Sequence, residues 1–281
     1  MNQLPLVSVI CLSHNQLAYI KQAIASVMKQ SYPNIELILV DDGSSDGSKD
    51  WIHSFINNKN IQYIDIPQPI GNCSAFNKGF RKSAGKYIID LAADDILLPE
   101  RILKGINTFL ESSEAGVTYC DVMNIDENGV ELGTHFNRNH RGDLAKKVPE
   151  GDVYSELIEH YFISPPSIMI KREVLVELEG YDESLSYEDF DFWIRSSRNW
   201  NYAFTDEVLV KKRKVTGSLS EQQFNYRSTH QASTLKVCQK IKELNRNREE
   251  NSALRKRCFY EIKQCIKQGN WSLITGFLKL I

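Results

Sequence analysis

Two adjacent carboxylates, Asp94 and Asp95, close the short apolar run Tyr87–Leu91, and a proline, Pro99, follows soon after. A run of that kind suits a strand buried on both faces, and open α/β sheets collect ligands just beyond the carboxyl ends of their strands. Two acids at such an end repel each other unless a cation or a proton lies between them. A divalent cation prefers oxygen ligands and can bridge carboxylate to diphosphate, neutralising the diphosphate as it leaves. The competing reading is a cap for the helix that opens at Pro99, a common place for Asp.

A second acidic stretch, Asp41-Asp42-Gly43-Ser44-Ser45-Asp46-Gly47-Ser48, ends the apolar run Ile35–Val40. A carboxylate there can accept a hydrogen bond from a nucleobase or ribose, and Gly43 allows a tight turn and a close approach. A calcium loop counted from Asp42 fails, because His53 stands where its closing Glu belongs and a strand precedes it. Plain turn chemistry remains open for the same residues. The third cluster is Glu188-Asp189-Phe190-Asp191, at the start of a helix backed by Phe192 and Trp193. The helix dipole favours acids in a first turn, and a carboxylate held near a ligand there can serve as general base on a hydroxyl.

The elements that must position these groups alternate. Val7–Leu12 reads as a first strand ending in Ser13-His14-Asn15, and Ile20, Ala23, Ile24, Val27 and Met28 fall at helical spacing. Strand Ile35–Val40, a helix through Trp51, Ile52 and Phe55, strand Ile61–Ile66, a helix opened by Gly71-Asn72 and strand Tyr87–Leu91 continue the series. Strands and helices in alternation predict an α/β fold with a mostly parallel, Rossmann-like sheet. Beyond Pro99 come a helix from Glu100 to about Glu111, a strand at Val117–Val122, a turn at Asn128-Gly129, a strand at Ile168–Ile170 and a helix at Glu188–Arg198. The segment Gly133–Pro149 is polar and basic, a mobile loop or a surface patch. Its basic run, Arg138 to Lys147, reads as solvated ahead of meeting an anionic acceptor or lipid. From about Glu221 the composition predicts helices at Gln222–Arg248 and Ser252–Lys267 and an apolar tail, Trp271–Ile281.

Composition narrows the class. The chain has 281 residues, 42% hydrophobic and 25% charged, with a formal net charge of -2, which gives no sign of a nucleic-acid binder working by bulk charge. The start, Met1-Asn2-Gln3-Leu4-Pro5, lacks a signal-peptide pattern, and no apolar stretch approaches a membrane span. Six cysteines without CxxC spacing read as free thiols of a reducing cytoplasm. No GxGxxG follows the first strand and no P-loop is present, so neither a dinucleotide site nor a P-loop is expected. The isolated histidines lack metal-ligand spacing, and His14, at a strand end, is read either at the base or as packing.

Taken together, Val7-Ser8-Val9-Ile10 leading to Asn15, Val40-Asp41-Asp42-Gly43-Ser44-Ser45-Asp46, Gly71, Ala75, Asn77, Gly79, Ala84, Gly85 and Tyr87, then Asp94-Asp95 to Pro99, form an ordered set. Ser164-Pro165-Pro166-Ser167, Gly180-Tyr181-Asp182-Glu183 and Tyr187-Glu188-Asp189 extend it. In order and spacing the set resembles family 2 glycosyltransferases of the GT-A fold, over about residues 5–220. The resemblance implies a GT-A domain over 1–220, its nucleotide-binding half to about 100 and its acceptor half beyond, with 221–281 as a helical appendage. It implies an inverting, metal-dependent (Mn or Mg) transfer from a nucleotide-sugar, a UDP-sugar first, to a hydroxyl of a glycan or lipid-linked glycan, as in bacterial surface polysaccharide synthesis. Asp42 would accept from the base, with Ser13 and Asn15 in the same pocket and Asn77 on the nucleotide-sugar. Asp94 would contact ribose or metal, Asp95 the metal, and Asp189 would be the base, with Glu188 as fallback.

Two departures stand out. Ala92-Ala93-Asp94-Asp95 lacks one acid of the commoner Asp-Ala-Asp-Asp, and Val215 occupies the place of a metal-binding His before Ser218-Leu219-Ser220. Lys212, Arg213 and Lys214 are therefore candidates to hold the diphosphate by fixed charge. The alternatives are a GT-A scaffold without turnover, favoured only by Val215, and a sugar nucleotidyltransferase, which would need a glycine-rich basic loop after the first strand. The expected location is the cytoplasm, with the tail assigned to internal packing or a homodimer contact ahead of a peripheral one on the membrane.

Overall fold

The computed structural model describes residues 4–56, 61–216, 226, 228 and 230–281. Its first half alternates as the periodicity requires: β1 (Val7–Ser13), α1 (Leu17–Met28), β2 (Ile35–Asp42), α2 (Ser48–Ile56), β3 (Gln62–Ile66), α3 (Asn72–Lys82) and β4 (Tyr87–Ala92). The second half holds β5 (Ile96–Leu97), α4 (Arg101–Glu111), β6 (Ala115–Ile125), β7 (Glu131–Thr134), α5 (Tyr154–Glu159), a 3-10 turn at Pro165–Ser167, β8 (Met169–Lys171), α6 (Arg172–Glu177), α7 (Asp189–Ser197) and β9 (Asn201–Arg213). Three helices follow: α8 (His230–Leu244), α9 (Arg248–Gln268) and α10 (Trp271–Leu278).

Among the described residues the strands form one sheet in the order β3-β2-β1-β4-β8-β6-β9-β5, with β7 on β6. The first four are mutually parallel. Because β8 opposes both β4 and β6, and β9 runs parallel to β6, strands β1–β4, β6 and β9 all point one way. The expected mostly parallel sheet is therefore present. Alternation along β1 feeds two cores, Val7, Val9 and Cys11 to one face and Ile10 and Leu12 to the other, as a period of two demands. The first face is covered by α1 and α4, the second by α3, α5 and α7.

Residues 230–281 are not set apart from this body. Val237, Cys238, Ile241, Ala253, Leu254, Cys258 and Phe277 belong to the same buried cluster as Tyr154, Leu157, Phe190 and Trp193. All six cysteines are free and buried.

The structure adds to the sequence reading at three places. Strand β9 has the largest interface of the sheet, with β6, yet its sequence did not announce it. Thr205-Asp206-Glu207 interrupts its alternation, and the register shifts there by a bulge. The apolar tail is a helix, α10, and the helix expected from Gln222 begins at His230 in its described part, residues 222–225 lying outside the described residues. The basic 133–149 segment is solvated along most of its length, as Arg141, Lys146 and Lys147 show, but Arg138 turns in to the buried Asp121 at 2.7 Å and to Asp206 at 2.8 Å. No described helix is long and apolar enough to cross a membrane.

Candidate active site

Since β1, β2, β4 and β9 point the same way, their carboxyl ends place Ser13, Asp42, Ala92 and Arg213 along one sheet edge. The two-residue β5 pairs antiparallel with β9, Ile96 opposite Lys211 and Leu97 opposite Val210. That pairing folds Asp94-Asp95 over the end of β9, where Asp95 Oδ1 accepts the Arg213 amide at 2.9 Å. Asp95 is only 4% exposed. Burial first, and then repulsion from Asp94, pushes its carboxyl up to about 8 against the pull of Lys212 and Arg213. Asp94 is also raised by burial, opposed by a hydrogen bond from Gln16 and by the same two cations.

The second acid pair arrives on α7. Glu188 Oε2 accepts the Asn72 side-chain amide at 2.6 Å, and Asp189 Oδ1 accepts the Phe190 N–H at 2.6 Å. Burial, and next the charge of Asp189, lifts Glu188 to about 7. Burial raises Asp189 too, with the Phe190 N–H, Lys212 and Arg257 favouring its ionised form. A fifth acid, Asp90, joins them from the middle of β4, held by the Tyr181 hydroxyl at 3.1 Å and raised by burial and then by Glu188. Sequence reasoning gave it no role. The signal was a charge inside the otherwise apolar Ile88-Ile89-Asp90-Leu91. Lys212 supports the charged form of Asp94, Asp95, Glu188 and Asp189 alike, which makes it the cation common to both pairs.

Beside these acids, the β1 and β2 loops are knotted together. His14 Nδ1–H donates to the Asp42 carbonyl at 2.6 Å, while Asn15, at φ 53°, accepts the Ser45 N–H on its side chain and gives its own N–H to the Ser44 hydroxyl. The Asp42 carboxylate takes the Ile70 and Gly71 amides at 2.8 and 3.0 Å, one on each oxygen. Each oxygen keeps a further acceptor position. Gly43, at φ 69°, is needed here, because a Cβ would meet the Pro69 nitrogen at 2.5 Å. Ser13 is buried and its hydroxyl has no partner among the described residues. Asp41 and Asp46 do the turn work, Asp41 holding the Ser44 N–H and Asp46 receiving the N–H groups of Leu17 and Ser48.

Two expected donor-site residues have other tasks. Arg213 is 5% exposed, and Nε, both Nη1 hydrogens and Nη2 go to the carbonyls of Asp94, Asp126 and Glu127 and to Gln22 Oε1. Its guanidinium also lies 4.6 Å from the Tyr19 ring centre. It is a strut under the acid pair, with no fork left for a diphosphate. Asn77 is 3% exposed and spends its amide on Tyr181 N–H and carbonyl and on Glu183, tying α3 to the turn before α7. Gly180 (φ 82°) makes room for it, as a Cβ there would sit 2.3 Å from Asn77 Oδ1. Sequence spacing places both residues near the site but cannot say which way their side chains face. Val215 stands just past β9, and Ser218-Leu219-Ser220 lies outside the described residues.

Among the described residues no three His, Cys, Asp or Glu side chains enclose an ion site. Asp94 and Asp95 alone fit a hard divalent cation that is completed by water and substrate phosphate, the usual arrangement for Mg2+.

Comparison with known proteins places this geometry. The family model "Glycosyl transferase family 2" matches residues 8–178, more than half of the chain. An uncharacterized glycosyltransferase, MJ1057 of Methanocaldococcus jannaschii, is 30% identical over 218 residues, 74% of this chain and 71% of the relative. TuaG of Bacillus subtilis, a putative teichuronic acid biosynthesis glycosyltransferase, is 27% identical, covering 78% and 83% of the two chains. In structure, S. aureus TarS 1-349 in complex with UDP-GlcNAc superposes with a TM-score of 0.69 at 18% identity, over 95% of this chain and 74% of that one. The mannosyltransferase PcManGT of Pyrobaculum calidifontis, in complex with GDP-Man and Mn2+, gives 0.67 at 13% identity, over 96% and 74%. The parallel sheet edge, the acids at its strand ends and the length of the match agree: the chain belongs to glycosyl transferase family 2 and has the GT-A fold.

Proposed function

We propose that the protein transfers a sugar, with inversion, from a nucleotide-sugar to a hydroxyl of a glycan or lipid-linked glycan. A UDP-sugar is the first choice of donor, as TarS was solved with UDP-GlcNAc. A surface-polysaccharide acceptor is supported by the description of TuaG. The observation that carries the reading is the acid pair Asp94/Asp95 folded over the end of β9, Asp95 on the Arg213 amide at 2.9 Å, at the sheet edge that also bears Asp42 on the Ile70 and Gly71 amides.

Asp42, with its remaining acceptor positions, receives the base N–H, beside Asn15 and above Ser13. Asp94 and Asp95 would hold a Mn2+ or Mg2+ ion, which when bound supplies charge neutralisation to the diphosphate. Asp189 takes the proton of the acceptor hydroxyl. The acceptor oxygen bonds to the anomeric carbon on the face away from the diphosphate, the carbon–oxygen bond to the diphosphate breaks, and the configuration inverts. Glu188, fixed by Asn72, is the second choice for the base. Lys212 offers positive charge to the leaving diphosphate, the part that Arg213 cannot play.

Calorimetric titration with UDP, GDP and CMP, each with and without Mn2+, tests the donor site on wild type and Asp95→Ala. Manganese-dependent UDP binding that is lost in the variant is expected. No nucleotide binding in any arm would remove the donor site as drawn and favour a scaffold without turnover.

One surface supports a peripheral membrane contact near a lipid-linked acceptor. The exposed residues of α9 from Ser252 to Lys267 include Phe259, Tyr260 and Ile266 among Arg255, Lys256, Lys263 and Lys267, with no acid. Such a face suits an anionic bilayer surface, and facing itself in a dimer it would set lysine against lysine. Sedimentation with phosphatidylglycerol vesicles, and not with phosphatidylcholine vesicles, is the expected result.

A further inference from the structure

The helices beyond residue 230 reach the active-site edge through α7. Tyr187 and Thr234 share a hydroxyl hydrogen bond of 2.6 Å, the Ser186 N–H donates to Ser233 Oγ at 3.0 Å, and Lys240 bridges Asp182 and Asp191 at 2.6 and 2.5 Å. Beneath the first turn of α7 lies Arg257 of α9, 3% exposed. Its guanidinium carbon sits 4.0 Å from the Tyr161 ring centre and 4.5 Å from that of Phe190, the residue next to Asp189.

Arg257 is poorly paired for a buried cation. Its nearest acid, Glu261, is 3.5 Å from Nη1, and Nε and Nη2 have no partner among the described residues. A well-packed apolar side chain in an aromatic cage commonly equals or exceeds a buried ion in stability, so packing alone gives no reason for an arginine here. Its charge does. One residue from Phe190 stands the carboxylate that must stay ionised to accept a proton, at an edge crowded with four other acids. We propose that Arg257 is a positioning residue for Asp189, seating the first turn of α7 through Phe190 with a fixed positive charge behind it.

The inference rests on Asp189 being the base. The groups facing Asp189 are Glu188 on its own segment, Lys212 of β9, Tyr161 after α5, Tyr187 before α7, and Arg257 with Glu261 behind it on α9. Lys212 belongs to β9 and is unchanged in the Arg257 variants.

The test reads Asp189 directly, without a donor or acceptor. Protein carrying 13C at the Asp and Glu carboxyl carbons is titrated by NMR, and the Asp189 signal is assigned by its absence in Asp189→Asn. In Arg257→Met the Asp189 midpoint moves to higher pH, by about half a unit to one unit, and Arg257→Lys brings it back toward wild type. An unchanged midpoint in a folded Arg257→Met protein overturns the proposal, as does a midpoint that moves equally in Arg257→Lys. Should the Met variant fail to fold, Arg257→Gln, neutral but able to hydrogen-bond, takes its place in the same comparison. The base assignment fails separately, if Asp189→Asn retains UDP release from UDP-GlcNAc.

Discussion

At the scale of single residues, Asp95 and Glu188 are carboxyls that the fold keeps protonated into the neutral range, at about 8 and about 7. Unfolding returns them to ordinary values near 4, so the unfolded chain binds fewer protons than the native one between these limits. The stability they contribute is complete below about pH 4 and is lost as pH rises through about 7 and then about 8. The melting temperature of the metal-free protein should therefore fall between about pH 5 and 8.5, and Mn2+ should restore more of it at pH 8 than at pH 6, because a cation then replaces the missing protons. A flat melting profile would contradict the burial of these acids. Lys212 and Arg213 should separate cleanly. Lys212→Ala should weaken UDP binding about tenfold, as loss of one charge-assisted contact does, with little change in melting. Arg213→Ala should lower the melting temperature first, since it removes four internal hydrogen bonds and leaves the carbonyls of Asp94, Asp126 and Glu127 without that donor. The acids were legible in sequence because each ends an apolar run or opens a helix. The facing of Arg213 and Asn77 was not, because a one-residue change of direction leaves the same letters in the same order.

At the scale of elements, one loop carries much of the proposed donor edge. Asp46 accepts from Leu17 at the start of α1 and from Ser48 at the start of α2, at 2.8 and 3.0 Å. Asp46→Ala should cost about 1–2 kcal/mol as a double cap, read as a lower urea midpoint. Gly43→Ala should cost about 1–3 kcal/mol from its positive φ and the clash with Pro69, and it should weaken nucleotide binding as well, since Asp42 anchors the same loop. Lys240→Met should lower stability by about 2 kcal/mol, less than for a fully enclosed pair because Arg195 still meets Asp191 at 2.6 Å. The alternating first half was readable because buried parallel strands are apolar throughout. β9 was not, because an edge-side strand with a bulge and three cations at its end has the composition of a loop. Its pairing with β6 is a tertiary fact, settled by a partner 85–88 residues away in register.

At the scale of the whole molecule, the buried cluster that contains α5 and α7 also contains α8, α9 and α10. A chain cut after residue 229 should not fold to a soluble protein, and the intact chain should unfold in one transition by both circular dichroism and tryptophan fluorescence. Two separated transitions would show that residues 230–281 are an independent unit. The shared core also bears on the order in which the protein becomes active as it is synthesised. Chains leave the ribosome amino end first and begin to fold as they emerge. Asp42, Asp94 and Asp95 emerge early, but Asp95 gains its seat only when β9 brings the Arg213 amide, and Lys212 with it. The floor of α7 comes last, with Lys240 and Arg257. A nascent chain would thus complete the proposed nucleotide site and seat the proposed base together, only after residues 230–281 have emerged.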